Sequence, residues 1–272
     1  MSTKWIMYEE HIGERAHSVT GELWVYPNLA SPQLNNQRDL LVWVPPNYQE
    51  SHHRYPVIYM HDGQNLFDQA TSYVGEWYVD EILTLLAPTG MEAIVVGIPN
   101  QGEQRMAEYG ALDPEGSADA YLAFIVETVK PLVDQQFRTL PHRDDTGICG
   151  SSMGGLISLY GFFKHPETFG LVAAMSPSLW FCDQAMFSYV EQQKIREGRV
   201  YLDVGSNEGR RIGRGPVRSM VRDARRMRDL LISKGYRPGI GLRYVEEKGA
   251  HHHEDAWARR FPGVVEFLLK GE

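Results

Sequence analysis

From Val57 to the C-terminus the chain repeats one unit: a short β-rich run, a turn, then a stretch with helical spacing of apolar residues. No other feature constrains the fold as much. Regular alternation of strand and helix implies a parallel sheet with helices on both faces. The spacing predicts strands at Glu22–Tyr26, Asp39–Val44, Val57–Met60, Ala93–Ile98, Thr146–Cys149, Leu171–Ala174, Val200–Val204 and Leu242–Val245. It predicts helices over Trp77–Leu86, Ala118–Gln136, Gly155–Phe163, Asp183–Arg196, Val217–Ser233 and Asp255–Leu269. The first two strands have no helix between them and are joined through Pro27-Asn28 to Arg38, so the sheet is expected to begin antiparallel. The expected class is α/β, a mostly parallel sheet of about eight strands with an antiparallel N-terminal edge and helices on both faces. No repeat, low-complexity tract or linker divides residues 1–272, and 43% hydrophobic content is enough for one sizeable core, so a single domain is expected.

A formal net charge of -8 argues against a polyanion such as nucleic acid as the main partner. No apolar run approaches the roughly 20 residues of a membrane-spanning helix, so no membrane partner is expected. Met1–Arg15 is mixed and polar, without the basic start and apolar stretch of a secretory leader. The two cysteines, Cys149 and Cys182, sit in apolar contexts and read as reduced core residues. A cytoplasmic location is the expectation.

Gly150-Ser151-Ser152-Met153-Gly154 lies between a predicted strand and a predicted helix. A tight strand-to-helix turn of this kind lifts a serine above the sheet, and glycines two before and two after it remove colliding Cβ atoms. Ser152 is the candidate nucleophile. Ser151 is not, because Cys149 stands two residues before it. The Met153 N–H, at the helix N-terminus, is positioned to donate to an oxyanion.

A serine nucleophile needs a general base, and an imidazole has the appropriate pKa. His251, His252 and His253 follow the last strand; one of them is the expected base, and spacing does not say which. Neighbours in an extended loop point apart and no His-x-x-x-His pair exists, so no metal site is expected there. Asp203 and Glu208 are the candidate acids at the end of Val200–Val204. Glu208 lies in the following turn, at the height from which a loop reaches the histidine, and is preferred. The loop after Val57–Met60, His61-Asp62-Gly63-Gln64-Asn65, offers the second oxyanion donor at Gly63 or Gln64. His61 and Asp62 precede Ser152 in the chain, and their expected part is to shape that loop.

The long connection from Pro99 to Ser117 leaves the carboxyl end of a strand, where open α/β sheets bind ligands. Asn100, Arg105 and Tyr109 are its candidate substrate contacts. Residues 210–228 carry Arg210, Arg211, Arg214, Arg218, Arg222, Arg225, Arg226 and Arg228. Four-residue spacing would stack Arg214, Arg218 and Arg222 on one helix face over a buried stripe of Val217, Met220, Val221, Ala224 and Leu231. A solvated face balanced by acids is preferred to an anion-binding surface, although Arg210 and Arg211 follow the acid turn closely enough to reach a substrate.

Taken together these segments resemble the putative-esterase branch of the α/β-hydrolases, which includes esterase D, feruloyl and acetylxylan esterases, enterochelin esterases and mycolyltransferases. The likeness runs from about Asp39 onward. It rests on His61-Asp-Gly-Gln-Asn-Leu-Phe67, Gly150-Ser-Ser-Met-Gly-Gly155, His165-Pro-Glu-Thr-Phe-Gly170, Ser176-Pro-Ser-Leu-Trp180, Asp203-Val-Gly-Ser-Asn-Glu208 and Gly249-Ala-His-His-His-Glu-Asp-Ala-Trp257. The resemblance implies the α/β-hydrolase fold, His252 as base (matched through Glu254 and Trp257), Glu208 as acid, and Trp180 as a substrate wall. His253 stands where the family often has Asn. The implied activity is hydrolysis of a small-molecule carboxylic ester through an acyl-enzyme, without cofactor or metal. An acyltransferase would use the same residues, and a non-catalytic binding protein of the same fold is the rival outside enzymology.

Overall fold

The computed structural model describes residues 5–211 and 217–271, with residues 210, 211, 217 and 218 described through the backbone alone. In chain order the strands are β1 (Ile6–Met7), β2 (Glu22–Ser31), β3 (Asn36–Val44), β4 (Val57–His61), β5 (Ile94–Ile98), β6 (Thr146–Ser151), β7 (Leu171–Met175), β8 (Arg199–Gly205), β9 (Gly209–Arg211), β10 (Val217–Ser219) and β11 (Leu242–Glu247). The helices are α1 (Tyr8–Ile12), α2 (Val79–Leu86), α3 (Arg105–Tyr109), α4 (Ala118–Ala123), α5 (Lys130–Gln136), α6 (Met153–Lys164), α7 (Ala185–Gln192), α8 (Met220–Lys234) and α9 (Glu254–Lys270).

Nine strands form one sheet in the order β1-β2-β3-β5-β4-β6-β7-β8-β11. The strands from β5 to β11 in that order pair in parallel, whereas β1, β2, β3 and β5 pair antiparallel. All eight predicted strands are present, and the ninth is the two-residue β1 at the edge. Pro27-Asn28 does not form the turn between β2 and β3. It makes a bulge within β2, where the register shifts between Tyr26 and Leu29, and the chain reverses at residues 32–35. Asn28, at φ 52, is held there by its N–H donating to Asp39 Oδ1 at 2.8 Å.

The strand side chains divide by period two between two apolar layers. Val57, Tyr59, Ile94, Val96 and Ile98 pack into one layer, and Ile58, Met60, Val95 and Cys149 into the other. The first layer is closed by Tyr121, Leu122, Leu156 and Met227 from α4, α6 and α8. The second is closed by Val79 and Leu83 of α2 and by Trp257, Phe261, Val264 and Leu268 of α9. The predicted helix Ala118–Gln136 passes through a π-helical stretch, Phe124–Val129, between α4 and α5. Pro131, just inside α5, has no N–H to continue an ordinary ladder there.

The helix expected over Val217–Ser233 begins at Met220, because residues 217–219 pair with β9. The proposed arginine stack therefore does not form on one helix; Arg218 lies in β10, and Arg214 lies outside the described residues. Arg225 pairs with Glu246 at 2.7 Å and Arg228 with Asp229 at 2.7 Å. Cys149 is buried in β6, but Cys182 is partly exposed and is not a core residue.

Candidate active site

The candidate groups come from the carboxyl ends of adjacent strands: Asp62 to Gln64 after β4, Ser152 after β6, Ser176 after β7, Glu208 after β8 and His252 after β11. That is the edge at which open α/β sheets gather ligands.

Ser152 joins β6 directly to α6 and takes φ 57, ψ -118. A non-glycine residue in that region costs on the order of 1–3 kcal/mol, which the surrounding structure must offset. Two neighbours make the turn possible. A Cβ at Gly150 would stand 2.9 Å from the His61 Cδ2, and one at Gly155 2.9 Å from the Met175 carbonyl. Gly154 is less constrained than the motif suggests, since a Cβ there would meet only the His61 Cβ at 3.4 Å and Asp62 Oδ2 at 3.5 Å.

The Ser152 Oγ lies 2.9 Å from His252 Nε2, and His252 Nδ1 lies 2.8 Å from Glu208 Oε2. An ionised carboxylate only accepts, so Nδ1 carries the imidazole proton and Nε2 is free to accept from the serine hydroxyl. Burial alone would raise the Glu208 carboxyl, but hydrogen bonds from His252, Ser176 and Gly205 outweigh it and hold the group below the ordinary range. The Ser178 hydroxyl adds a contact to Ser152 Oγ at 3.2 Å, and its N–H donates to the Ser152 carbonyl at 2.9 Å.

Beneath this line is a buried network that motif reasoning missed. Glu208 Oε1 accepts from the Ser176 hydroxyl at 2.7 Å and the Gly205 N–H at 2.7 Å. The Ser176 Oγ in turn accepts from Trp257 Nε1 at 3.0 Å and Arg260 Nη2 at 2.9 Å. Arg260 also donates from Nε to Asp203 Oδ2 at 2.8 Å and from Nη1 to Glu247 Oε2 at 2.8 Å. Asp203, the alternative acid, is committed to Arg260 and to the Ser176 N–H and does not reach His252. Burial pushes its carboxyl up to about 6, with Arg260 pulling against the shift. One signal for this network was present in the chain: Arg260 falls in the apolar stripe of α9 with Trp257, Phe261 and Val264, where a guanidinium requires a buried acceptor.

Met153 opens α6, so its N–H has no acceptor within the helix. Gly63 and Gln64 open a one-turn helix, Gly63–Asn65, in the same way. A Cβ on Gly63 would overlap the backbone of Gly97 and Ile98 at 2.6 and 2.7 Å, which confines the position to glycine. His61 is buried with Nδ1 at 2.8 Å from the Tyr121 hydroxyl, and burial lowers its pKa to about 3, so it stays neutral. Asp62, at φ 56, takes a bidentate pair from Arg105 at 2.7 and 2.8 Å and a bond from Asn100 Nδ2 at 2.7 Å. Both residues shape the loop.

A cleft of about 870 Å³ opens over Ser152 and His252. Asn100 and Arg105 line it, as do Gln64, Tyr73, Val74 and Trp77. Tyr109 does not: it is fully buried, and its hydroxyl accepts from the Asp62 N–H at 3.1 Å, so it supports the loop from behind. Trp180 is likewise not on this cleft and packs edge-on against Phe181 at 6.0 Å between centroids. The three histidines point apart. His251 turns to Asn207, His252 to Glu208, and His253 to Asp255 at the start of α9. Among the described residues, Glu76, Asp80 and Glu81 bring oxygens within 4.8 Å of one another. Burial raises the carboxyls of Asp80 and Glu76, the latter to about 7.

The sheet order and the strained serine turn are those of the α/β-hydrolase fold. The chain belongs to the family described as Putative esterase, whose model matches residues 31–268, and it is a carboxylic ester hydrolase. It is 26% identical over 251 residues to the protein YbbA of Bacillus subtilis, covering 89% of this chain and 96% of that one. It is 29% identical over 154 residues to the siderophore triacetylfusarinine C esterase of Aspergillus fumigatus, about half of each chain (52% and 51%). Among solved structures, an enterobactin esterase from Shigella flexneri superposes with a TM-score of 0.70 at 18% identity, over 98% of this chain and 58% of that one. At that identity the likeness speaks for the fold alone.

Proposed function

We propose that the chain hydrolyses its ester by acyl transfer through Ser152, His252 and Glu208. The observation that carries this reading is the unbroken line from Ser152 Oγ to His252 Nε2 at 2.9 Å and from Nδ1 to Glu208 at 2.8 Å. His252 takes the hydroxyl proton as Oγ attacks the ester carbonyl, and Glu208 stabilises the imidazolium and fixes its orientation. The N–H groups of Met153 and of Gly63 or Gln64 are the donors for the tetrahedral oxyanion. As the intermediate collapses, the C–O bond to the alcohol breaks and His252 returns the proton to the departing oxygen. Water, activated by the same imidazole, then attacks the acyl-enzyme and releases the acid and free Ser152. Each step is a proton transfer or acyl transfer, so the cycle is complete with these side chains and water. Asn100 and Arg105, tied to Asp62, are substrate contacts at the polar wall of the cleft. The reading extends to one domain over residues 1–272 acting on small-molecule esters.

The test is hydrolysis of a panel of simple acyl esters, with siderophore esters included because a relative is named for one. Ser152→Ala should lower turnover on the order of 10⁶-fold. Retention of wild-type turnover by that variant would remove the proposal.

A further inference from the structure

The wall of the cleft beside His252 holds apolar side chains out in water on an anchored loop. Tyr73 is 89% and Val74 54% exposed, and both line the cleft. Their loop is tied to the protein along its length. The Tyr73 N–H donates to the Asn65 side chain at 3.0 Å, the Thr71 hydroxyl to the Gln64 carbonyl at 2.8 Å, and the Trp77 N–H to the Asn65 carbonyl at 2.9 Å. Behind the tip, Trp77 and Trp257 continue the wall with ring centroids 5.8 Å apart, and Trp257 meets His252 edge-on at 5.0 Å. At Gly75 the loop touches α9, where a Cβ would stand 3.3 Å from that of Glu254. Asp62, Asn100, Glu103 and Arg105 supply polar lining to the same cleft, tied together through Asp62, which accepts from Asn100 and Arg105.

The side of the cleft on which each wall lies determines which half of the ester it meets. His252 Nε2 must hand its proton to the leaving oxygen, so that oxygen lies within hydrogen-bond reach of Nε2 and the alcohol extends along the wall beside it. Resting on the acyl-transfer reading above, we propose that Tyr73 and Val74, backed by Trp77 and Trp257, bind the alcohol half of the substrate. The substrate class is then an ester whose alcohol carries an aromatic or bulky apolar group, and Tyr73 and Val74 determine that specificity. An anchored loop keeps the two side chains ready for the substrate, so little ordering is required on binding.

The experiment compares benzyl and cyclohexylmethyl acetates with ethyl and 2-methoxyethyl acetates. The acyl group is constant, so all four pass through the same acetyl-enzyme, and their aliphatic alcohols keep leaving-group chemistry similar. Wild type should favour the two bulky alcohols in kcat/KM. In Tyr73→Ala and Val74→Ser the benzyl-to-ethyl ratio of kcat/KM should fall about tenfold, the scale of one lost aromatic or apolar contact. A parallel series of ethyl esters with growing acyl groups should show no such change in ratio. An unchanged benzyl-to-ethyl ratio, or a change that follows the acyl series instead, overturns the assignment. Stoichiometric labelling of Ser152 by a fluorophosphonate is measured on each variant, so that failure of the nucleophile is told apart from failure of the alcohol wall.

Discussion

Replacing Ser176 by alanine tests whether the buried network holds Glu208 in its working state. The Ser176 hydroxyl has one proton and two lone pairs, and all are used. Trp257 Nε1 and Arg260 Nη2 only donate, so they occupy the lone pairs at 3.0 and 2.9 Å, and the single proton must go to Glu208 Oε1 at 2.7 Å. Ser176→Ala removes a hydrogen bond to a charged acceptor, a loss of about 1.5–3 kcal/mol, and leaves two buried donors short of a partner. Arg260 keeps Asp203 and Glu247, which tempers the penalty. The expected destabilisation is about 3–5 kcal/mol, large against the usual 5–15 kcal/mol of a folded domain but compatible with folding. Glu208 keeps the Gly205 N–H, so its carboxylate survives with a higher pKa and a looser orientation. A fall in kcat/KM of about 10–100-fold should follow, the equivalent of the lost bond expressed as rate. The sign of the pH effect is also determined. The native Glu208 pKa is depressed, so its contribution to stability is present above the ordinary carboxylate range and is lost as pH falls through the native value. In Ser176→Ala that loss should begin at a higher pH. Urea denaturation and kcat/KM, each measured from pH 4 to 8, are the assays. A variant with an unchanged urea midpoint and kcat/KM within twofold of wild type would refute the proton assignment and the role built on it.

The two glycines of the serine motif and the next one should respond unequally. Gly150→Ala and Gly155→Ala drive a Cβ to within 3.0 Å of fixed neighbours and should cost about 3 kcal/mol or more, whereas Gly154→Ala meets ordinary contacts and should cost about 1 kcal/mol or less; thermal melts order the three. The carboxyls of Glu76 and Asp80 are raised by burial, so their contribution to stability is present below the ordinary carboxylate range. It is lost as pH rises, for Glu76 between about 4.5 and about 7. Asp80→Asn keeps an oxygen for the Thr20 N–H, which donates to Asp80 Oδ2 at 2.6 Å, and removes the charge, so its melting temperature should exceed that of wild type at pH 8 and match it more closely at pH 5.

The layout of the fold was legible because its signals are local. The predicted strands from Val57 to Val204 are buried runs with neighbours on both sides in the sheet, and Leu242–Val245 is a half-buried edge strand, so periodicity and turn residues suffice. The turn carrying Glu208 and the loop carrying His251, His252 and His253 were readable from the strands they follow, whereas the choice of His252 among the three rested on the family resemblance. What escaped was tertiary. Tyr109 looked like a substrate contact because it sits in a long loop at a strand end, yet its ring is packed against His61 and Tyr121 at 5.2 and 5.1 Å between centroids. Trp180 follows a motif that runs past Ser176 and Ser178, but its ring packs against Phe181 and does not line the cleft. Ser176, Asp203 and Arg260 are brought together from the loop after β7, from β8 and from α9, and no spacing along the chain connects them. The stretch from Pro27-Asn28 to Arg38 reads as a connection, yet β2 continues through Pro27-Asn28 by bulging and runs to Ser31.

The central claim is that Ser152 is an activated nucleophile, and intact-mass spectrometry after fluorophosphonate treatment tests it most directly. One adduct per wild-type chain, absent from Ser152→Ala and greatly slowed in His252→Ala, is the predicted result. No adduct on well-folded wild type, or an equal adduct on Ser152→Ala, would contradict it.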